Sequence, residues 1–158
     1  MFYYEVDNEI QLKLVTQQDA EEIFAFVDRS RDYLREWLGW VDNTKTVEDS
    51  RSFITYNLER FAKQEGLDTA IYYKGQFVGK VGINTIHKSL NKCEIGYFLD
   101  EKFQGEGIMT RAVKGIIDIA FKEYQMQKVE IRAAVDNKKS RHIAERLGFT
   151  LEGTIRQS

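Results

Sequence analysis

The residues Gln104-Gly-Glu-Gly-Ile-Met-Thr110 bear most directly on chemistry. Gly105 and Gly107 carry no Cβ, so the backbone can bend tightly there and approach a ligand closely. Behind them Met109, Ala112, Val113, Ile116, Ile117, Ala120 and Tyr124 form an i, i+3, i+4 stripe, the mark of an amphipathic helix packed on a sheet. The first N–H groups of such a helix have no intrahelical partner and carry the positive end of its dipole. A glycine turn that leaves them open suits an anion, a pyrophosphate above all. Two glycines also serve a plain strand-to-helix corner, and spacing alone does not separate these readings.

The elements that must position this turn are legible on both sides of it. Residues 95–99 read as a strand; on it Cys93, Ile95, Tyr97 and Leu99 share one face, and Glu94, Gly96 and Phe98 the other. After the long helix Val129, Ile131, Ala133 and Val135 alternate along a strand that must run parallel to 95–99 through a right-handed crossover. Residues 10–14 alternate as a first strand. Thr16 and Asp19 form an N-cap pair, and Ala20, Ile23, Phe24 and Val27 mark the buried face of a first helix. Tyr33, Leu34, Trp37, Leu38 and Trp40 form an aromatic group that serves either core packing or a groove wall. Thr46, Glu48 and Asp49 start a second helix, with Phe53, Ile54, Asn57, Leu58, Phe61 and Ala62 inward and Gly66 as its stop. Residues 70–73 and 77–83 make a hairpin through Lys74-Gly75. A short helix over 140–147 and a last strand from Phe149 complete the pattern.

Composition bounds the function. With 158 residues and 42% apolar residues, a single domain over 1–158 is expected. Lys and Arg number 23 against 25 Asp and Glu, so no global basic field favours nucleic acid. No apolar run approaches a membrane span, and the first residues do not read as a signal peptide. The one cysteine, Cys93, excludes an internal disulfide framework and fits a reducing cytoplasm. His87 and His142 are the only histidines, so no metal site is expected.

Gln104-Gly-Glu-Gly107-Ile-Met109 resembles the pyrophosphate signature of the GNAT acetyltransferases, Gln/Arg-x-x-Gly-x-Gly/Ala. Ile95-Gly-Tyr-Phe-Leu-Asp, Phe103-Gln-Gly-Glu-Gly-Ile-Met-Thr, Val135-Asp-Asn-Lys-Lys-Ser140 and Ala144-Glu-Arg-Leu-Gly-Phe-Thr-Leu-Glu-Gly153 resemble the RimJ/RimL branch, which acetylates protein N-termini. The resemblance runs from about Glu9 to the last residue. It departs at Met109, where the signature ends in Gly or Ala, and at Glu106, an anion on an anion loop. Glu106 must therefore face solvent or pair with Arg111 or Lys114.

That resemblance implies an α/β (α+β) GNAT fold: a mixed sheet with antiparallel N-terminal strands, a splayed parallel pair, and helices on both faces. Relatives of this kind continue past the position of Ser158, so the last strand is expected to be cut short and an acidic base to lie beyond it. It implies acetyl transfer from acetyl-CoA to an amine by direct attack. Gln104, Gly105, Glu106, Gly107, Ile108, Met109 and Thr110 would hold the pyrophosphate, with Phe98 or Leu99 offering a main-chain N–H to the thioester oxygen. Asn137 matches a position that binds the pantetheine arm. Ser140 matches a hydroxyl aimed at the departing sulfur, though it would serve equally as a helix N-cap. Glu94 and His87 are the base candidates within the chain, each also readable as an ordinary surface group. Lys138, Lys139 and Arg141 read as a solvated face or as contacts to the nucleotide phosphates. The acceptor is expected to be a protein N-terminus, such as that of a ribosomal protein. A polyamine or amino-sugar, or a CoA-binding module without turnover, are the alternatives. No nucleic-acid or membrane partner is expected, and a homodimer is left open.

Overall fold

A computed structural model describes residues 3–35 and 41–131. Among these residues six strands form one sheet in sequence order: β1 (Tyr3–Glu5), β2 (Ile10–Leu14), β3 (Leu67–Tyr73), β4 (Gln76–His87), β5 (Lys92–Leu99) and β6 (Lys128–Ile131). Neighbours are antiparallel up to β5, and β6 lies parallel to β5, paired from Lys92↔Lys128 to Ile95↔Ile131. The parallel step needs a long crossover, and α4 (Ile108–Glu123) supplies it. The other helices, α1 (Ala20–Arg29), α2 (Arg31–Leu34) and α3 (Val47–Ala62), are gathered between β2 and β3.

The sheet is covered on both faces. On one, α4 buries Ile108, Ala112, Val113, Ile116 and Ala120 against Ile71, Val81, Ile83 and Ile95. On the other, Phe26 and Val27 of α1 and Ile54 of α3 pack on Ala70 and Phe77. This mixed sheet with helices on both faces is the expected fold. At the Lys74-Gly75 turn both residues take positive φ, 51° and 82°, as a tight two-residue hairpin turn requires.

Several local expectations are corrected. β1 precedes the strand expected first, and β4 runs four residues further, to His87. Its extra length follows a bulge at Asn84: Ile83 faces Ile95, whereas Thr85 faces Glu94. Phe26, not Phe24, is the buried aromatic of α1. Phe53 is 43% exposed and Ala62 is exposed on α3, because Lys80 already occupies the sheet beneath Phe53, with Nζ 5.3 Å from that ring's centroid. α3 ends through Gln64 at φ 59°, not through Gly66. Gly66 is instead a packing glycine: a Cβ there would meet Ile83 O at 2.9 Å.

Alternation on β2 also misleads at Lys13, whose side chain is buried rather than solvated. It pairs with Asp19 at 2.6 Å, and Asp19 also accepts from Thr16 N at 2.9 Å. The expected N-cap pair Thr16 and Asp19 thus forms a capping box, on a short 3-10 turn that leads into α1. Thr46 and Asp49 form another at α3. Trp37, Leu38, Trp40, Ala133, Val135, His142, the helix over 140–147 and the last strand lie outside the described residues. Among the described residues no helix is long and apolar enough to cross a membrane.

Candidate active site

The site grows from the end of β5. Its two faces divide as alternation requires: Cys93, Ile95 and Leu99 join the α4 core, while Phe98 turns to α1. The Phe98 ring stacks on Phe26, centroids 5.5 Å apart and planes 9° from parallel. Gly79 on β4 faces Leu99. A Cβ at Gly79 would collide with the Phe98 and Leu99 backbone, so the two strands approach there as only glycine permits.

Asp100 ends the strand. Its N–H donates to Val78 O at 2.7 Å, and its carboxylate accepts from Lys102 N at 3.0 Å to start a 3-10 turn over Glu101–Phe103. Gln104 then runs extended, and Gly105 and Gly107 follow with φ of 85° and 75°. Both glycines hold left-handed conformations that an L side chain resists. A Cβ at either would have nothing within 4 Å.

Gly107 is the N-cap of α4, and it has no side chain with which to cap. Arg111 N donates to Gly107 O at 3.2 Å, so the N–H groups of Ile108, Met109 and Thr110 precede the helical ladder. This start differs from the other long helix. At α3, Thr46 accepts from Asp49 N, and Glu48 and Asp49 place acids in the first turn. At α4 the first turn has no acid and the cap no side chain. A helix mouth without either compensation retains its positive potential for an external anion.

Glu106 takes the solvent-facing option, since it is exposed. Arg111 pairs elsewhere, with Asp7 Oδ2 and Glu9 Oε1 both at 3.0 Å. Burial pushes the Asp7 carboxyl up, but donation from Glu9 N and Ile10 N and the Arg111 guanidinium outweigh it, so its pKa is lowered. For Arg111, burial lowers the pKa and the two carboxylates overcome that, raising it. This cluster ties the β1–β2 turn to α4.

Glu94 and His87, considered separately from sequence, are brought together. His87 Nε2 lies 3.6 Å from Glu94 Oε2, with their side chains 39% and 20% exposed. Glu94 and Phe98 share a face four residues apart, about 13 Å along a strand at ~3.3 Å per residue. A proton passing between Glu94 and an amine held near Phe98 therefore needs intervening water. Burial, with Glu130 and Glu94 nearby, pushes the Cys93 thiol up to about 11, which leaves it a poor nucleophile. Ser140 and Asn137 lie outside the described residues.

The sequence reading missed three features here. Asp100 received no role from sequence, although an acid just after a strand and two residues before a turn N–H is a cap pattern. Lys80 within Phe77-Val-Gly-Lys-Val-Gly-Ile received no role from sequence; it is 6% exposed and 2.7 Å from Asp68. Asn84 has no sequence signal. Its side chain lies where a Cβ on Gly96 would stand, 2.5 Å from that position.

With this geometry in hand, comparison with known proteins is direct. The family model described as an acetyltransferase (GNAT) domain matches residues 9–150. YdaF of Bacillus subtilis (strain 168), provisionally named a ribosomal N-acetyltransferase, is 32% identical over 157 residues, 99% of this chain and 86% of the relative. The microcin C7 self-immunity acetyltransferase MccE, solved with acetyl-CoA and AMP, superposes at a TM-score of 0.87 with 33% identity, over 94% of this chain and 82% of that one. RimL, a ribosomal L7/L12 α-N-protein acetyltransferase solved with coenzyme A, gives a TM-score of 0.92 over 96% and 86% of the two chains. At 24% identity that likeness is one of fold. The chain belongs to the GNAT acetyltransferase family. It is accordingly an N-acetyltransferase that takes its acetyl group from acetyl-CoA.

Proposed function

We propose that this protein acetylates the α-amine of a protein N-terminus, that of a ribosomal protein, with the donor's diphosphate seated on the mouth of α4. One observation supports the seat above others: of the two long helices among the described residues, α4 begins with neither a side-chain cap nor an acid in its first turn. Gln104, Gly105, Glu106, Gly107, Ile108, Met109 and Thr110 surround that mouth. Their main-chain N–H groups carry the binding; the Glu106 side chain stays in solvent. The open space at the two glycines leaves room for phosphate oxygens.

From there the pantetheine arm would run beside β5 toward Phe98 and Leu99, held in part by Asn137. A main-chain N–H at Phe98 or Leu99 would meet the carbonyl oxygen as the amine attacks, an interaction worth ~3 kcal/mol in such sites. The amine lone pair forms the C–N bond, the C–S bond breaks, and the amine proton leaves through water toward Glu94 and His87. Ser140 would hydrogen-bond the departing sulfur. That thiol resembles cysteine, with a pKa of roughly 8.5, so modest help suffices.

Amine acidity supports an N-terminal acceptor. An α-amine has a pKa near ~7.8 and a lysine side chain near ~10.4, a difference of roughly 3.5 kcal/mol of deprotonation at neutral pH. A site whose base acts through water suits the first. The relative YdaF carries a ribosomal N-acetyltransferase name, which points the same way. The protein would work in the cytoplasm as a single acetyl-CoA-binding domain.

A thiol-release assay with acetyl-CoA over short peptides, spermidine and glucosamine tests the proposal. Release with free N-terminal peptides, abolished by blocking the α-amine, is the expected result. Release with spermidine or glucosamine alone would replace the acceptor, and acetyl-CoA binding without release on any amine would make the protein a CoA-binding module.

A further inference from the structure

Asp100 is a buried carboxylate, 7% exposed, in the link between the strand that would meet the thioester and the turn that would meet the diphosphate. We propose that Asp100 is a positioning residue that fixes the diphosphate turn for acetyl-CoA, acting through the Lys102 main chain and not by touching the donor. The inference rests on the reading that residues 104–110 hold the diphosphate.

Four contacts converge on Asp100. Its N–H is bound to Val78 O at 2.7 Å, which joins the link to β4 after β5 has ended. Its Oδ1 accepts from Lys102 N at 3.0 Å. Its Oδ2 lies 3.6 Å from Arg29 Nη2 at the end of α1. The 3-10 turn closes on the same residue, with Phe103 N donating to Asp100 O at 2.9 Å and Gln104 N to Glu101 O at 3.3 Å. Gln104 is the first residue of the diphosphate signature. The path from carboxylate to signature is therefore one turn of backbone, each step a hydrogen bond.

The contacts are unequal. Arg29 is half exposed and 3.6 Å away, so solvent screens the ion pair and its contribution is small. The cap is accepted by a buried carboxylate oxygen, and hydrogen bonds from a main-chain N–H to a carboxylate are the stronger ones. It also acts at the entry to a turn whose two glycines, Gly105 and Gly107, have no neighbour within 4 Å of their Cβ positions. Arg29 further lies over the Phe26 ring at 5.3 Å, and Phe26 stacks on Phe98, so α1 and Asp100 brace the same strand end.

A positioning role predicts a selective loss. Asp100→Ala should weaken the KM for acetyl-CoA about five- to ten-fold, the size expected when one lost cap contact is expressed in binding. The kcat at saturating donor should hold within about two-fold, and Asp100→Asn, which keeps an oxygen for Lys102 N, should restore the KM. Arg29→Gln should change little. With S-acetylpantetheine, which lacks the diphosphate, Asp100→Ala should match the parent. Asp100→Val, which likewise has no cap oxygen, reads the same quantity should the alanine variant not fold.

The outcomes separate two failures. A parent that uses acetyl-CoA and S-acetylpantetheine equally well overturns the diphosphate reading itself. A parent that prefers acetyl-CoA, with a preference that Asp100→Ala or Asp100→Val leaves intact, overturns the role of Asp100 alone. Equal losses for Asp100→Ala and Asp100→Asn, or equal losses with both donors, would also reduce Asp100 to a stabilising group.

Discussion

Replacing Gly107 by glutamate puts a carboxylate on the mouth of α4. The cost divides into a backbone part and a charge part. Gly107 sits at φ 75°, and a Cβ there meets nothing within 4 Å, so the strain is conformational and not steric crowding. A non-glycine residue in that region costs ~1–2 kcal/mol. In a chain of this size each kcal/mol moves Tm by about 2–4 °C, so the variant should melt roughly 2–8 °C lower and still fold. The new charge would stand about 6 Å from a bound diphosphate; at an effective dielectric of ~20 each unit pair repels by about 2.8 kcal/mol. That is about a hundred-fold in Kd for each phosphate charge that is felt. Gly107→Ala is the control, since it meets the same backbone cost without the charge. Isothermal titration with acetyl-CoA should give an alanine variant within about ten-fold of the parent and a glutamate variant weaker by a further factor of ~100. Raising the salt should narrow the gap between the two variants. Equal affinities in two folded variants would refute the reasoning, because the ligand charge would then lie elsewhere.

Other expectations follow from single contacts. Asp19→Ala leaves Lys13 buried without its 2.6 Å partner and uncaps Thr16, so urea unfolding should show a loss of about 3–5 kcal/mol; a loss below ~1 kcal/mol would contradict the pairing. Because the Asp7 pKa is lowered in the folded protein, its contribution to stability is present above its ordinary value of 3.8 and is lost as pH falls through the depressed one. The stability difference between parent and Asp7→Asn should therefore be constant at neutral pH and vanish at the acid end, whereas a difference that grows on acidification would reverse the assignment. Glu94→Gln should lower kcat by about 100-fold with KM for acetyl-CoA unchanged, if Glu94 takes the proton through water. Unchanged turnover would remove it as the base.

The sequence showed most clearly what periodicity and turn chemistry encode. The α4 stripe, the division of β5 into two faces, the Lys74-Gly75 turn and both capping boxes are local patterns, and each is found in the structure. The errors arise where one element decides the fate of another. Lys13 reads as solvent-facing by alternation and Lys80 received no role, yet helices cover that face and Asp19 and Asp68 meet them there. Phe53 reads as inward because it is apolar, yet it lies outside a buried ammonium. The Asn84 bulge realigns β4 against β5, and no propensity announces it. In the site, the glycine turn was legible because glycine has few uses. The meeting of His87 with Glu94 and the bracing by Asp100 depend on register and on strand ends, which a one-dimensional pattern does not carry.

The most direct measurement is a crystal structure of the protein with acetyl-CoA bound. The account predicts diphosphate oxygens within hydrogen-bond distance of main-chain N–H groups between Gly105 and Thr110, with the thioester beside the end of β5. A diphosphate held by side chains away from the α4 mouth, with that mouth left to solvent, would contradict it.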